Sequence, residues 1–363
     1  MTRREAMVLG VFLALGLGCA AAAPSVDVRE AQLARVPANA GFVAQADLPA
    51  VVDPQDVEHW LGWMTRLRPD SGADTSCVSL LLARATILTD VMLPGTPQTG
   101  EDAMVLVSGD LTAADIAACA AKVMGGPQAA PPAPSADGVF TLGDEQDEAM
   151  LADLPGLGVL IGTPAGFAAA RAAAPEGGPV AGNPVLVKLR SLLEAGGVVE
   201  AFLLQPMGSE EIGVQGAGLS LHRGANDRYE AVLLAGGADA ANALSLLVMG
   251  LPLMIAQAEA MMNEMANSPE ALPMHGEMFA EVQPILAAVR EALGNAQVTV
   301  ENDIVRVVFE LDPAKANPTE LLMTAGMMLF TGRAMPPDDF PADSAVDVPG
   351  VVEPPVEEPA ATP

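Results

Sequence analysis

Short apolar runs, each bounded by Gly, Pro, Asn or Asp, recur along the chain and predict the strands of a sheet. The runs cover residues 40–48, 103–109, 157–163, 197–205, 230–237, 296–301 and 303–311, and a further strand is expected to end at His222. Residues 139–155 and 298–313 each predict a hairpin. Because a hairpin places its two strands antiparallel, the pattern predicts a mostly antiparallel sheet.

Helices are predicted where apolar residues recur at intervals of three and four. Four sites place an N-cap side chain before a proline at the first helical position. These sites are Asp53 with Pro54, Thr163 with Pro164, Asn183 with Pro184, and Asn317 with Pro318. Thr112 and Asp115 have the spacing of a capping box. The fold class expected is α+β, with mostly antiparallel sheets covered on one face by amphipathic helices.

The stretch 243–258 is apolar on all sides rather than along one stripe. It contains Gly250 and Pro252 and falls short of the roughly 20 apolar residues that span a bilayer. We therefore expect a central core helix at this position.

Two parts of the chain are alike. Residues 103–125 align with residues 230–250, and a predicted hairpin follows each of them. The shared order of strand, helix and hairpin predicts an internal duplication, with one α+β half over residues 37–195 and the other over residues 196–333.

Residues 1–22 have the order of a secretory signal peptide: two arginines, an apolar run over 7–18, and small residues. Two cleavage sites compete. Cleavage before Cys19 gives a lipoprotein, although Gly16 stands where such signals carry Leu. Cleavage in the alanine run at 20–23 gives a form without lipid. We expect an exported protein, periplasmic or an outer-membrane lipoprotein or secreted, that meets a membrane only through an N-terminal lipid anchor.

The ends of the mature chain are expected to lie outside the folded halves. Residues 23–36 predict a polar linker. Residues 334–363 are Pro-rich, contain seven acidic residues and no basic residue, and predict a disordered tail.

Charge narrows the range of partners. The 363 residues contain 46 Asp and Glu against 17 Lys and Arg, a formal net charge of -29. Such a surface repels phosphate backbones and anionic headgroups, so nucleic acid is excluded as a partner and so is docking on an anionic bilayer.

Three cysteines are present. If Cys19 leaves with the signal or is lipidated, Cys77 and Cys119 form an even pair that one disulfide could join in an oxidising compartment. Cys119 also falls on the apolar stripe of a predicted helix, where a free cysteine behaves as a small hydrophobic residue.

The segment VPANAGFVAQADLPAV at residues 36–51, the lipoprotein-like leader and the strands that run into helices carry a resemblance. Together they resemble secreted or lipid-anchored bacterial envelope proteins of unknown function, of the kind found in myxobacteria and planctomycetes. The resemblance implies an envelope location and a duplicated α+β architecture, and it supplies no catalytic residues.

Catalytic fingerprints are missing from the sequence. It contains no Walker loop, G-x-G-x-x-G, G-x-S-x-G, H-E-x-x-H, C-x-x-C or EF-hand loop, and it has three histidines. We therefore expect no resident cofactor and a non-catalytic protein, with an unrecognised envelope enzyme as an alternative.

Methionine is the most distinctive residue type, with 19 copies, 11 of which lie after residue 248. Three interpretations are open: gap filling in helix packing, a soft-ligand site for Cu(I), and an adaptable apolar groove. The Cu(I) candidates are Met274, His275 and Met278. The groove candidates are Met249, Met254, Met261, Met278, Val282 and Leu286.

The function expected is that of an exported, non-catalytic binding or structural module of the envelope. Its partner would be a hydrophobic ligand in the groove or another envelope protein. Periplasmic Cu(I) handling through the Met and His cluster is the first alternative.

Overall fold

The computed structural model describes residues 26–53, 56–59, 61–62, 74–94, 102–126, 128–143, 148–172, 178–206, 213–266 and 273–321. Residues 1–22 with Cys19, and the predicted acidic tail 334–363, lie outside the described residues.

Eleven described strands form one sheet in which every pairing is antiparallel. They are β1 Phe42–Asp47, β2 Ala85–Leu93, β3 Asp102–Gly109, β4 Phe140–Leu142, β5 Ala149–Leu154, β6 Gly158–Gly162, β7 Val199–Leu203, β8 Val214–His222, β9 Asp227–Ala235, β10 Gln297–Glu301 and β11 Ile304–Leu311. All seven predicted runs are strands, and the strand expected to end at His222 is β8. The sequence analysis missed β2, because no predicted apolar run covers residues 85–93.

The strand order is β10-β11-β9-β8-β7-β1-β2-β3-β6-β5-β4. The strands β1 and β7 are neighbours near the centre of the sheet. On one side of this pair the order is β1-β2-β3-β6-β5, and on the other side it is β7-β8-β9-β11-β10. Both sides therefore connect their strands in the same order. In this order hairpin β10–β11 corresponds to β5–β6, not to the β4–β5 hairpin at residues 139–155 that the sequence suggested. A common origin of the two halves stays a prediction.

The described residues form eight α-helices. They are α1 Val26–Leu33, α2 Leu48–Val51, α3 Ser76–Leu82, α4 Ala113–Gly125, α5 Pro164–Arg171, α6 Pro184–Leu192, α7 Ala238–Ala266 and α8 Pro273–Gly294. The predicted capping box is present: the Thr112 side chain accepts from the Asp115 N–H, and the Asp115 side chain accepts from the Thr112 N–H. Thr163 and Asn183 also cap their helices through side-chain oxygens, each with proline in the first helical turn.

Helices lie on both faces of the sheet, whereas the sequence suggested one. On the face that we call the front, α1, α5 and α6 pack over residues such as Val43 and Leu106. On the back face, α2, α3 and α4 cover residues such as Val105 and Val107, and α7 and α8 cover β9 and β11. The central strands carry apolar residues at successive positions, so both faces need cover.

The expected linker 23–36 is wrong for its described part, because residues 26–33 form α1. Leu33 and Val36 are buried in the front core. Thr89 Oγ1 donates to Gln32 Oε1 over 2.6 Å, and Gln32 Nε2 donates to Ser108 Oγ over 2.8 Å. These bonds fasten α1 to the middle of the sheet.

The Cys77–Cys119 disulfide is present. Its sulfur atoms are 1.98 Å apart and its Cα atoms 5.6 Å apart, so it joins α3 to α4 on the back face. Cys119 is also buried in the apolar cluster of that face. The bridge is therefore confirmed, and Cys119 does lie on a buried stripe, but the alternative of a free cysteine is wrong.

The expected core helix at 243–258 is not in the core. It belongs to α7, 29 residues long, and 11% of its most apolar 18-residue stretch is buried. Near its start, Ala241 and Leu244 pack with Val305 and Val307 of β11. By length and composition alone, α7 is also long and apolar enough to cross a membrane.

Candidate functional site

The most unusual surface of the described protein is an apolar stripe along α7, which we call the outer stripe. Six large apolar side chains on it are between 49% and 67% exposed. They are Leu246, Leu247, Met249, Leu253, Met254 and Met261. Isolated exposed apolar residues are ordinary on a protein surface, but a contiguous row of six along one helix marks an interaction surface.

The outer stripe follows from the spacing of its residues. Leu246 and Leu253 are seven residues apart, and so are Leu247 and Met254 and then Met254 and Met261. Seven residues are close to two helical turns, so the side chains repeat on one side of the helix. Gly250 lies between them, and a Cβ atom added there would meet nothing within 4 Å. The stripe is therefore open along its length.

The opposite side of α7 is occupied. It packs against α8, and Arg290 of α8 forms an ion pair with Glu259 of α7 at 2.9 Å. Val282 and Ile285 of α8 are buried. The hairpin of α7 and α8 is thus held to the sheet by its inner side while the outer stripe faces solvent.

The predicted groove does not match this arrangement. Met249, Met254 and Met261 are exposed on the outer stripe, whereas Val282 is 4% exposed and Leu286 is half-buried. The five described side chains of the predicted groove therefore do not share one surface. The side chain of Met278 lies outside the described part of the structure.

The Cu(I) candidates Met274, His275 and Met278 fall in the first turns of α8. Their side chains lie outside the described residues, as does Cys19.

The charged residues of α7 are acidic. Residues 238–266 contain no Lys or Arg, and Asp239 and Glu264 add negative charge, whereas Glu259 is paired with Arg290 on the opposite side of the helix. The whole chain carries a formal charge of -29. A partner that covers the stripe therefore approaches through a negative potential, which favours a cationic partner and disfavours an anionic one.

A described cavity of about 430 Å³ lies elsewhere, between the C-terminal end of α8 and β11. Polar side chains such as Glu291, Asn295 and Glu310 line it. It is separate from the outer stripe and from the expected groove residues.

One group of potential metal ligands appears among the described residues: Glu194, His222 and Glu230. Each offers a donor atom, and the three atoms lie within 4.8 Å of one another. Sequence reasoning placed His222 at a strand end but did not connect it with the two glutamates. The available signal was the charged residue Glu230 beside the apolar run 231–235, with Asp227 and Arg228 just before it in β9.

A second buried polar group was also missed. Asp90, in the middle of β2, lies on the back face between Ala44 and Val105 on the neighbouring strands, and its Oδ1 has no hydrogen-bond partner among the described residues. Burial raises the pKa of this carboxyl to about 6.

Comparisons of the chain with protein-family models, with curated proteins and with solved structures find no match. The function has to be argued from the sites themselves.

Proposed function

We propose that this protein is an exported, non-catalytic binding module whose outer stripe docks an amphipathic helix of another envelope protein. The observation that carries the proposal is the row of six large apolar side chains, between 49% and 67% exposed, on one side of α7. Export is supported by the signal-like residues 1–22 and by the resemblance to envelope proteins.

The shape of the stripe favours a helix as the partner. Its seven-residue repeat provides the spacing at which a second helix places its own apolar side chains. Amphipathic helices bind such surfaces through residues at intervals of three, four and seven. Methionine side chains at three of the six positions adapt to differing partner side chains.

Charge favours a partner helix with Lys and Arg beside its apolar side. Asp239 and Glu264 belong to α7, and the net charge of the whole chain adds to their negative potential. The same potential opposes a second copy of this chain, which also carries -29, and it opposes an anionic bilayer. A basic amphipathic helix is therefore the occupant that the stripe and its surroundings suit best.

The test uses a fluorescent 18-residue model helix made of Leu and Lys, titrated with the full chain and followed by anisotropy. Replacing two stripe residues, Leu246→Ser with Leu253→Ser, removes apolar contact area without changing charge. We expect at least about tenfold weaker binding, since each buried leucine side chain contributes roughly 1.5 to 3 kcal/mol.

The matched control is Leu80→Ser, because Leu80 is 70% exposed on α3, away from the stripe. It should bind the peptide as the unchanged protein does. Equal weakening by the control would show general attraction to an acidic protein and would overturn the proposal. If the protein forms a dimer in sedimentation that the stripe substitutions abolish, the occupant of the stripe is a second copy of the chain. If it floats with phosphatidylcholine vesicles and the substitutions abolish flotation, the occupant is a lipid bilayer. Either result would overturn the proposal of a partner helix.

The Cu(I) and enzyme alternatives gain no supporting observation from the part of the chain that the structure describes.

A further inference from the structure

Two buried polar atoms near the end of β8 have no hydrogen-bond partner among the described residues: His222 Nε2 and Ser220 Oγ. A buried polar atom without a partner costs about 1 to 3 kcal/mol, so such atoms are rare in native proteins. A bound ligand is one way in which such an atom gains its partner.

Strand pairing brings carboxylates to the same place. Ser220 lies opposite Glu230 and His222 lies opposite Arg228, so all four residues are on the front face of β8 and β9. Glu194 comes from the chain just after α6, and its backbone N–H donates to Glu230 Oε2 over 3.1 Å. Donor atoms of Glu194, His222 and Glu230 thereby lie within 4.8 Å of one another.

Two arginines already neutralise these carboxylates, and they differ in how firmly they are held. Arg306 pairs with Glu230 Oε1 and also donates to the carbonyl oxygen of Leu192 over 2.6 Å. It therefore ties the end of α6 to the sheet.

Arg228 is held differently. It pairs with Glu194 Oε2, and its Nη2 is 4.0 Å from Glu230 Oε2. Its side chain is about as exposed as that of Arg306, 34% against 37%, but both of its partners in these pairs are carboxylates, one of them on the exposed Glu194. Arg228 thus bridges the same two carboxylates that a metal ion would bridge, and a cation that takes over both carboxylates would release its side chain into solvent.

We propose that Glu194, His222 and Glu230 form a binding site for Zn²⁺, and that the ion displaces Arg228. One imidazole nitrogen with two carboxylates is a donor set that Zn²⁺ accepts. Cu(I) prefers the sulfur ligands that are missing from these three residues, and Ca²⁺ and Mg²⁺ prefer oxygen ligands alone. The proposal is independent of the outer stripe.

The donor atoms need only a small movement. Metal–ligand distances of about 2.0 to 2.2 Å place tetrahedral ligands roughly 3.3 Å apart. The donors lie within 4.8 Å of one another, so closure takes no more than about 1.5 Å. The Glu194 side chain is 57% exposed and can supply most of that movement. Because Glu194 lies at the surface, a fourth Zn²⁺ position is open to water.

The test is calorimetric titration of the full chain with ZnCl₂ after chelation and dialysis. We expect one strong Zn²⁺ site per chain in the unchanged protein. His222→Ala should weaken it by at least about tenfold, the loss found even for residues that only orient a ligand. His59→Ala is the matched control, since His59 is exposed elsewhere on the chain, and it should leave the titration unchanged.

Two further variants keep the test decisive. Glu194→Gln changes an exposed side chain, so it should weaken Zn²⁺ binding without unfolding the protein. Arg228→Met removes the competing guanidinium and should tighten Zn²⁺ binding by at least about fivefold. Absence of Zn²⁺ binding in the unchanged protein, equal binding by His222→Ala, or weaker binding by Arg228→Met would each overturn the proposal.

Discussion

Helices α4 and α7 occupy corresponding places in the repeated strand order, since α4 follows β3 and α7 follows β9. α4 has 13 residues, and Ala113, Ala117, Cys119 and Ala121 on it are buried. α7 has 29 residues, and beyond Ser245 it exposes most of its large apolar side chains. The same topological position is therefore filled by a covered helix in one half and an exposed helix in the other.

Contacts account for the difference, not length alone. At about 1.5 Å per residue, α4 is roughly 20 Å long and α7 roughly 43 Å long. Near its start α7 packs on β11 through Ala241 and Leu244, and its inner side packs against α8, where Arg290 pairs with Glu259. The side of α7 that faces away from these contacts carries the outer stripe from Leu246 onward.

The disulfide that holds α4 should give the largest effect on stability. It closes a loop over a sequence separation of 42, and a loop of this size restricts the unfolded chain by about 4 kcal/mol. Cys77→Ala with Cys119→Ala should lower the free energy of unfolding in urea by about that amount. Reduction of the unchanged protein by dithiothreitol should have the same effect. If both changes cost less than about 1 kcal/mol, α4 is held by packing alone, as the base of α7 is.

A second difference between the halves lies under the helices. Asp90 is paired with Ala44 on β1, whereas the residue paired with Ala201 on β7 is Leu219. Because burial raises the pKa of Asp90 from 3.8 to about 6, the folded protein binds more protons than the unfolded chain between these pH values. Stability therefore falls as the pH rises through this window.

Asp90→Asn removes this ionisation. We expect it to stabilise the protein by up to about 3 kcal/mol at pH 7.5 and by less than about 1 kcal/mol at pH 4, measured by thermal unfolding. Asp74→Asn is the control, because hydrogen bonds from Ser76 lower the pKa of that exposed carboxyl. A gain from Asp90→Asn that is independent of pH would show that its ionisation is not the cause.

Apolar periodicity, hairpin signals and N-cap residues predicted the α+β class, the antiparallel pairing, most of the strands and the starts of α4, α5 and α6, because these depend on neighbouring residues. It missed β2, whose centre holds Thr89 and Asp90. Both side chains are buried, and Thr89 accepts a hydrogen bond from Gln45 and donates one to Gln32. These partners are distant in sequence, so the pattern gave no sign that polar residues belong inside.

The candidate sites were harder to predict for a related reason. A helix needs apolar side chains whether the sheet or another protein covers it, so the composition of 243–258 suited a core helix as well as the outer stripe. Glu194, His222 and Glu230 meet through strand pairing and a helix end, and nothing in their spacing indicates it. Only the folded structure shows that the outer stripe is exposed and that these three side chains lie close together.

The smallest expected effect compares two leucines within α7. Leu244 is buried against Val305 and Val307, whereas Leu246 is 67% exposed on the outer stripe. Leu244→Ala should lower the free energy of unfolding by about 2 kcal/mol, at the low end for a buried leucine because the edge of the cluster can relax. Leu246→Ala should change it by less than about 0.5 kcal/mol. Urea unfolding followed by circular dichroism measures both free energies. Binding of the Leu–Lys peptide should show the opposite ranking, with Leu246→Ala weakening it more than Leu244→Ala. Equal costs for the two variants would mean that the outer stripe also packs within the protein, and α7 would then resemble α4.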